Sequence, residues 1–118
     1  MPKRAMKSAI RGAFILAALV PLAPARAEQS ATQFLADIDR SNTTSLLVLY
    51  GYGDGFGWAN TELARNGEKR LFCVPGKLAI TPEQNAEILR SYVKNHPVFG
   101  GAPGGFALLR AYEDTFPC

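Results

Sequence analysis

Histidine, cysteine and long apolar runs are all scarce in this chain of 118 residues. It contains one histidine and two cysteines. Metal sites and most nucleophilic or acid–base centres combine several such residues at short spacings, and these spacings do not occur here. The apolar run at residues 12–23 is about twelve residues long, whereas a helix that spans a bilayer needs about 20. The composition therefore argues against a metal site and against a conventional catalytic centre.

The N-terminal residues have the pattern of a secretory signal. Four basic residues and no acidic one precede the apolar run, which ends at Pro24-Ala25-Arg26-Ala27 with small residues at the A-x-A positions. A basic head, a short apolar middle and a small-residue exit are typical of a signal peptide. We therefore predict a signal peptide over residues 1–27 and a mature protein, residues 28–118, in the periplasm. A buried N-terminal helix or a retained anchor is the alternative interpretation.

Removing this segment changes the charge of the protein. Five of the thirteen basic residues lie in the predicted signal and all ten acidic residues lie after it. The remaining eight bases and ten acids give the mature part a net charge of about −2, although the whole chain carries +3. Nucleic-acid binding needs a basic patch on the working domain, so we expect no nucleic-acid partner and, after cleavage, no membrane association.

The two cysteines, Cys73 and Cys118, both lie in the predicted mature part. Thiols pair in oxidising compartments, and small exported domains often depend on such a bridge. A disulfide that closes so long a loop contributes roughly 4 kcal/mol in the chain-entropy model. A metal pair or a redox pair is the competing interpretation, but the wide spacing fits neither well.

Periodicity and end signals predict four helices, over residues 30–40, 44–65, 81–95 and 103–115. Ser30 with Gln33 and Thr81 with Gln84 form capping boxes, and Pro82 suits the first helical turn. His96-Pro97 stops the third helix, and residues 98–105 form a glycine-rich loop. The last helix is expected to bury Phe106, Leu109 and Tyr112. The fold class predicted is a small all-α domain.

Four alternate glycines in the second predicted helix allow two interpretations. A strand followed by a phosphate-binding loop would need a third glycine at position 56, which is Phe56, so the dinucleotide fingerprint fails and no cofactor is expected. On a helix, Gly51 with Gly55 and Gly53 with Gly57 would form two ridges for close helix packing. Asp54 is then either a solvent-facing carboxylate or a structural residue that bonds a cap or the Trp58 indole.

His96 is the only imidazole, and at a helix C-terminus its default role is capping. The serines lie in predicted caps or helices, and no metal-ligand set or carboxylate dyad accompanies them. We therefore predict that the protein is not an enzyme, has no metal, and works by binding or as a structural component.

The C-terminal half resembles a known family. It combines Cys73 and Pro75, a capped helix that ends in His96-Pro97, a loop with Pro103, and a terminal Phe116-Pro117-Cys118. This pattern, with the Gly/Asp-bearing segment Tyr50–Asn60 before it, is similar to that of the Rap/Tai-type immunity proteins over residues 32–118. The charged residues that often follow His-Pro in the family are replaced here by Val98-Phe99-Gly100-Gly101.

The resemblance implies a periplasmic, often dimeric, all-α protein that occludes the active site of a cell-wall amidase delivered by type VI secretion. Contacts in this family are made by loops and helix ends. The corresponding candidates for partner binding are Asn60, Arg65, Lys69, Arg70, His96, Val98 and Phe99. Residues with a structural role are expected to be Asp54, Trp58, Thr81, Gln84 and Pro97. The alternatives are an acid-stress or chaperone-like helical protein without a toxin partner, and a structural accessory of the envelope.

Overall fold

The computed structural model describes residues 28–118, which contain four α-helices. Helix α1 is Ala31–Asp39, α2 is Thr43–Arg65, α3 is Pro82–Asn95 and α4 is Gly104–Thr115. A short 3-10 turn, Pro97–Gly101, lies within the predicted loop. The described residues contain no strand apart from one isolated bridge, Ser30 with Pro103, so the all-α prediction is confirmed. The predicted signal peptide, residues 1–27, lies outside the described part of the chain.

The helices begin where their local sequence predicts. The backbone N–H of Gln33 donates to Ser30 Oγ at 3.2 Å, and the backbone N–H of Ser30 donates to Gln33 Oε1 at 2.9 Å. Thr81 and Gln84 make the same reciprocal pair at 3.1 and 2.9 Å. Each box satisfies two backbone donors that the first helical turn leaves free. Pro82 at the first helical position completes the predicted start of α3.

Helix α2 continues through its four glycines and ends at Arg65, and Gly67, two residues later, has a left-handed φ of +74°. Only Gly53 of the four is needed for packing. A Cβ there would lie 2.5 Å from Tyr112 Oη and 2.7 Å from Asn85 Oδ1, whereas Gly51, Gly55 and Gly57 have open space beside them. The prediction of two packing ridges is therefore wrong for three of the four glycines.

The core lies where all four helices meet. Leu49, Leu89 and Leu108 are completely buried, and Phe34, Phe72 and Tyr112 surround them. The rotation of α4 turns Tyr112 and Leu108 inward and leaves Phe106 52% exposed. The expectation that Phe106 is buried is therefore wrong, because Gly105, not Phe106, takes the inward position in the first turn of α4.

The segment between α2 and α3 is extended and is tied down at its start. Cys73 forms a disulfide with Cys118, as predicted, and the backbone N–H of Cys73 donates to the Phe116 carbonyl at 2.8 Å. This bridge fixes the C-terminal residues against the segment. No helix of the described residues combines the length and apolar character that crossing a membrane requires.

The beginning of α1 is paired with the beginning of α4. The backbone N–H of Ala31 donates to the Ala102 carbonyl at 2.9 Å, and that of Gly104 donates to the Gln29 carbonyl at 2.8 Å. Gly104 is buried, and a Cβ there would collide with the Phe34 ring. The two helix starts are therefore held together by backbone contacts that need glycine at position 104.

Candidate protein-binding site

The 3-10 turn Pro97–Gly101 follows directly from the end of α3. Pro97 lacks the N–H that a continued helix would use, so the chain turns at His96. The backbone N–H of Phe99 donates to the His96 carbonyl at 3.0 Å, and that of Ala102 donates to the Phe99 carbonyl at 3.1 Å. Pro97 thus has the structural role predicted for it, and the turn is shaped by its own backbone.

The turn is anchored on two helices. The Phe99 ring packs edge-on against Tyr92 of α3, with ring centroids 5.2 Å apart. Gly100 is buried, and a Cβ there would lie 2.6 Å from Thr32 Oγ1 of α1. His96 stacks on Tyr92 at 4.3 Å, and its Nδ1 lies 3.1 Å from the Tyr92 carbonyl. One face and one ring nitrogen of His96 therefore contact the last turn of α3, which fits the capping role expected of it.

Between these anchors the turn presents a large side chain to solvent. Val98 is 82% exposed, the highest value among the exposed large apolar residues of the described chain. Phe106 at the start of α4 is also exposed, and its ring lies 6.1 Å from that of the half-buried Phe99. We call Val98, Phe99 and Phe106 the apolar tip. None of these three side chains can act as a nucleophile, an acid or a base.

A shallow cavity of about 360 Å³ borders the apolar tip. It is lined by Tyr92, His96 and Phe99 together with Arg110, Glu113 and Asp114 of α4. Arg110 lies 3.8 Å from Glu113, and both side chains are partly exposed. Apolar residues beside a charged rim are the usual composition of a protein interface.

The second group of predicted contact residues lies at the end of α2. Arg65, Lys69 and Arg70 are exposed, and Arg65 lies 3.6 Å from Glu62. The cavity beside the apolar tip is lined by none of these residues, and Arg70 lines a different depression together with Phe72 and Val74. The structure therefore brings the two predicted groups into no common pocket among the described residues.

Asn60 is not available for a partner, and that prediction is wrong. Its side chain is 8% exposed. Its Nδ2 donates to the Phe72 carbonyl at 2.7 Å, and its Oδ1 accepts from the Leu71 backbone N–H at 2.8 Å. Asn60 thus supplies both hydrogen bonds that this extended backbone would otherwise lack.

The two structural residues predicted in the glycine helix face solvent. Asp54 is exposed, and Trp58 is 70% exposed. The hydrogen bonds among the described residues include neither the Asp54 carboxylate nor the Trp58 indole. The solvent-facing interpretation of Asp54 therefore fits, and no contact supports a structural role for Trp58.

One buried polar pair has no counterpart in the sequence predictions. The Tyr112 hydroxyl donates to Asn85 Oδ1, and Asn85 is fully buried. Burial, with smaller contributions from Tyr50 and Asp54, raises the pKa of Tyr112 to about 12. The partners come from α3 and α4, so no local pattern could have indicated the pair.

The described residues contain no group of three or more His, Cys, Asp or Glu side chains that could hold a metal ion. Comparisons with protein-family models, with curated proteins and with solved structures found no match to this chain.

Proposed function

We propose that this protein is a periplasmic immunity-type inhibitor that binds a type VI secretion cell-wall amidase and blocks its active site. The observation that carries the proposal is Val98, which is 82% exposed on a turn that α1 and α3 hold in place. The protein acts by occupying a cleft and performs no chemistry of its own.

The shape of the apolar tip suits this task. Enzyme active sites are concave and largely apolar, with a few polar groups. A convex tip that is already ordered loses little conformational freedom on binding, so more of the contact energy appears as affinity. Val98 and Phe106 supply apolar contact, while Arg110, Glu113 and Asp114 supply a polar rim. Fold and shape do not by themselves fix a function, so the family resemblance of residues 32–118 supplies the identity of the partner.

The compartment supports the same proposal. The predicted signal peptide directs the chain to the space where peptidoglycan is exposed, and the Cys73–Cys118 disulfide is of the kind that persists in oxidising compartments. Mass spectrometry of protein from the periplasmic fraction tests export directly. A mature form that begins at Glu28 is expected, and an intact N-terminus in the cytoplasm would contradict it.

The protection experiment uses a cell-wall amidase effector, to be sought among the genes next to this one. Directed to the periplasm, the amidase is expected to lyse cells, and co-expression of the full chain is expected to restore growth. Val98→Asp places a charge at the centre of the contact and is expected to weaken binding at least about tenfold. Leu71→Asp, at a leucine 44% exposed outside the tip, is the control and should still protect.

Two results would contradict the proposal. One is the absence of any complex between the purified chain and that amidase in calorimetry. The other is full protection by Val98→Asp together with unchanged affinity, because the apolar tip would then not be the contact surface.

The homodimer implied by the family resemblance is assigned by this proposal to the outward face of α2. Leu47, Val48 and Trp58 are 54%, 44% and 70% exposed there, with the open glycines Gly51 and Gly55 between them. An antiparallel crossing at the glycines would bring Trp58 of one protomer onto Leu47 of its partner. Sedimentation is expected to show a dimer that Trp58→Asp disrupts and Leu71→Asp does not. A wild-type protein that is still monomeric at roughly 0.1 mM would refute the assignment.

One observation favours the acid-stress alternative. Arg90 of α3 lies 2.7 Å from Asp39 of α1, and this exposed ion pair links the two helices, while Glu87 holds the same guanidinium at 3.0 Å from within α3. A chaperone-like protein should then bind more of a hydrophobic dye as the pH falls from about 7 to about 3. Arg90→Gln should mimic that change at neutral pH. Unchanged dye binding and unchanged mass over this range would eliminate the alternative.

A further inference from the structure

A second apolar depression lies away from the apolar tip, between α3, the end of α4 and the extended segment before α3. It has a volume of about 500 Å³. The lining residues are Leu78, Ile80, Glu83, Gln84, Glu87, Ile88, Ser91, Thr115 and Phe116. We call it the α3 groove, and it shares no residue with the apolar tip.

The floor of the α3 groove is aliphatic and aromatic. Ile80, Ile88 and Phe116 are half-buried, and Leu78 is 45% exposed. The α3 residues that line it, from Glu83 to Ser91, recur at intervals of three and four and therefore share one helix face. At a rise of 1.5 Å per residue the groove is about 12 Å long.

The wall of the α3 groove is acidic. The carboxylates of Glu83 and Glu87 are exposed along it, and no lysine or arginine within residues 28–118 lines it. Arg90, the next base along α3, is engaged by Glu87 at 3.0 Å and by Asp39 at 2.7 Å. Two carboxylates, Asp39 and Glu87, thus share one guanidinium, and Glu83 has no base beside it among the residues that line the groove, so the charge along this wall is negative on balance.

From this combination we infer that the α3 groove binds a basic amphipathic helix of a protein partner. Helices that dock in grooves use apolar anchors at i, i+3 or i+4, and i+7, which span about 10.5 Å at 1.5 Å per residue and so match the length available. The groove is open, whereas small-molecule pockets enclose most of their ligand. Lysine or arginine residues beside the anchors would face Glu83 and Glu87. This inference does not depend on the immunity function.

The test measures the binding of two labelled model peptides to the full chain by fluorescence anisotropy. Both peptides carry leucine at i, i+4 and i+7 on a helical background; one has flanking lysines and the other has glutamates at the same positions. The basic peptide is expected to bind at least about tenfold more tightly, and added salt should reduce this difference because it screens exposed charges.

A matched pair of leucines locates the binding. Leu78→Ser is expected to weaken binding of the basic peptide at least about tenfold. Leu71→Ser, outside the groove, should leave this binding unchanged. The two leucines are 45% and 44% exposed. Glu83→Lys should reverse the preference towards the acidic peptide, and Glu68→Lys should leave it unchanged. If Leu78→Ser impairs folding, judged by circular dichroism, the Glu83→Lys result decides.

Three outcomes would overturn the inference: no binding of the basic peptide, equal binding of both peptides, or equal effects of the two leucine substitutions. Val98→Asp should leave peptide binding intact while it impairs amidase binding. Failure of the α3 groove is therefore distinguishable from failure of the apolar tip.

Discussion

The Tyr112 hydroxyl donates a hydrogen bond to the Asn85 side chain, directly beneath the backbone of Gly53. This contact joins α4 to α3 and lies against α2, in a region where Leu49 and Leu89 are fully buried. The other end of the Asn85 amide, Nδ2, has no hydrogen-bond partner among the described residues. The Tyr112 hydroxyl therefore provides the one hydrogen bond that the buried Asn85 side chain makes among the described residues.

Tyr112→Phe is expected to destabilise the protein. The substitution removes the donor and leaves Asn85 Oδ1 buried without a partner, which costs about 1–3 kcal/mol. Chemical denaturation measures the loss, and Tyr50→Phe, at a half-buried tyrosine, is the control. The double variant Tyr112→Phe/Asn85→Leu should recover part of the stability, because no buried acceptor then remains. A double variant less stable than Tyr112→Phe alone would contradict this explanation.

Stability is expected to fall at alkaline pH through the same tyrosine. Burial raises the pKa of Tyr112 to about 12, above the ordinary value of about 10. The folded state therefore favours the neutral phenol, so this stabilisation is complete below about pH 10 and is lost as the pH rises towards about 12. Urea unfolding at intervals across this range should show that the free energy of unfolding falls with pH, and it should fall less in Tyr112→Phe. An equal decline in the two proteins would show that Tyr112 is not the cause.

Two glycines of α2 are expected to respond oppositely to alanine. At Gly53 a Cβ would lie within 2.7 Å of both Tyr112 Oη and Asn85 Oδ1, and overpacking of this kind costs about 1–3 kcal/mol. At Gly57 nothing lies within 4 Å, so alanine should stabilise the helix by about 0.4–1 kcal/mol. Thermal unfolding of the two variants provides the comparison. Stabilisation by Gly53→Ala would show that the three helices can separate there at little cost.

Loss of the disulfide is expected to lower the free energy of unfolding by about 2–5 kcal/mol. The bridge connects Cys73 and Cys118, which are 45 positions apart, and it anchors the segment that carries Phe72 into the core. Cys73→Ser/Cys118→Ser, compared with the wild-type protein in urea, measures the effect. Reduction of the wild type should reproduce the double substitution. A variant as stable as the oxidised protein would mean that the hydrogen bonds of Asn60 hold the segment alone.

The helices could be predicted because their signals are local. Ser30 begins the first turn of α1, and Thr81 with Pro82 begins that of α3. The exposure of Phe106 could not be predicted from local signals. Helical periodicity shows which residues share a face, but the rotation of the helix about its axis is set by the neighbouring helices. The rotation of α4 depends on the close approach of Gly104 to Phe34.

The site was predictable only in part, for a related reason. Val98 was a candidate because the family resemblance implies contacts by loops; the structure shows that it is exposed, and its contact role stays a prediction. Asn60 was misassigned although a signal existed: Leu49, Gly53 and Asn60 recur at intervals of four and seven, and all three lie on the buried face of α2. A polar residue in such a stripe is more often a buried hydrogen-bonding group than a surface contact.

If residues 1–27 are the cleaved signal peptide that we predict, the pairing of Gln29 and Ala31 with Gly104 and Ala102 has a consequence for the order of processing and folding. These two hydrogen bonds begin only two positions after the predicted cleavage site at Ala27. A signal peptidase needs this stretch of chain extended and accessible, whereas the folded domain holds it against the start of α4. Processing and folding would then follow a fixed sequence in time, with the leader removed before α1 docks. A precursor that folds first would protect its own leader from removal.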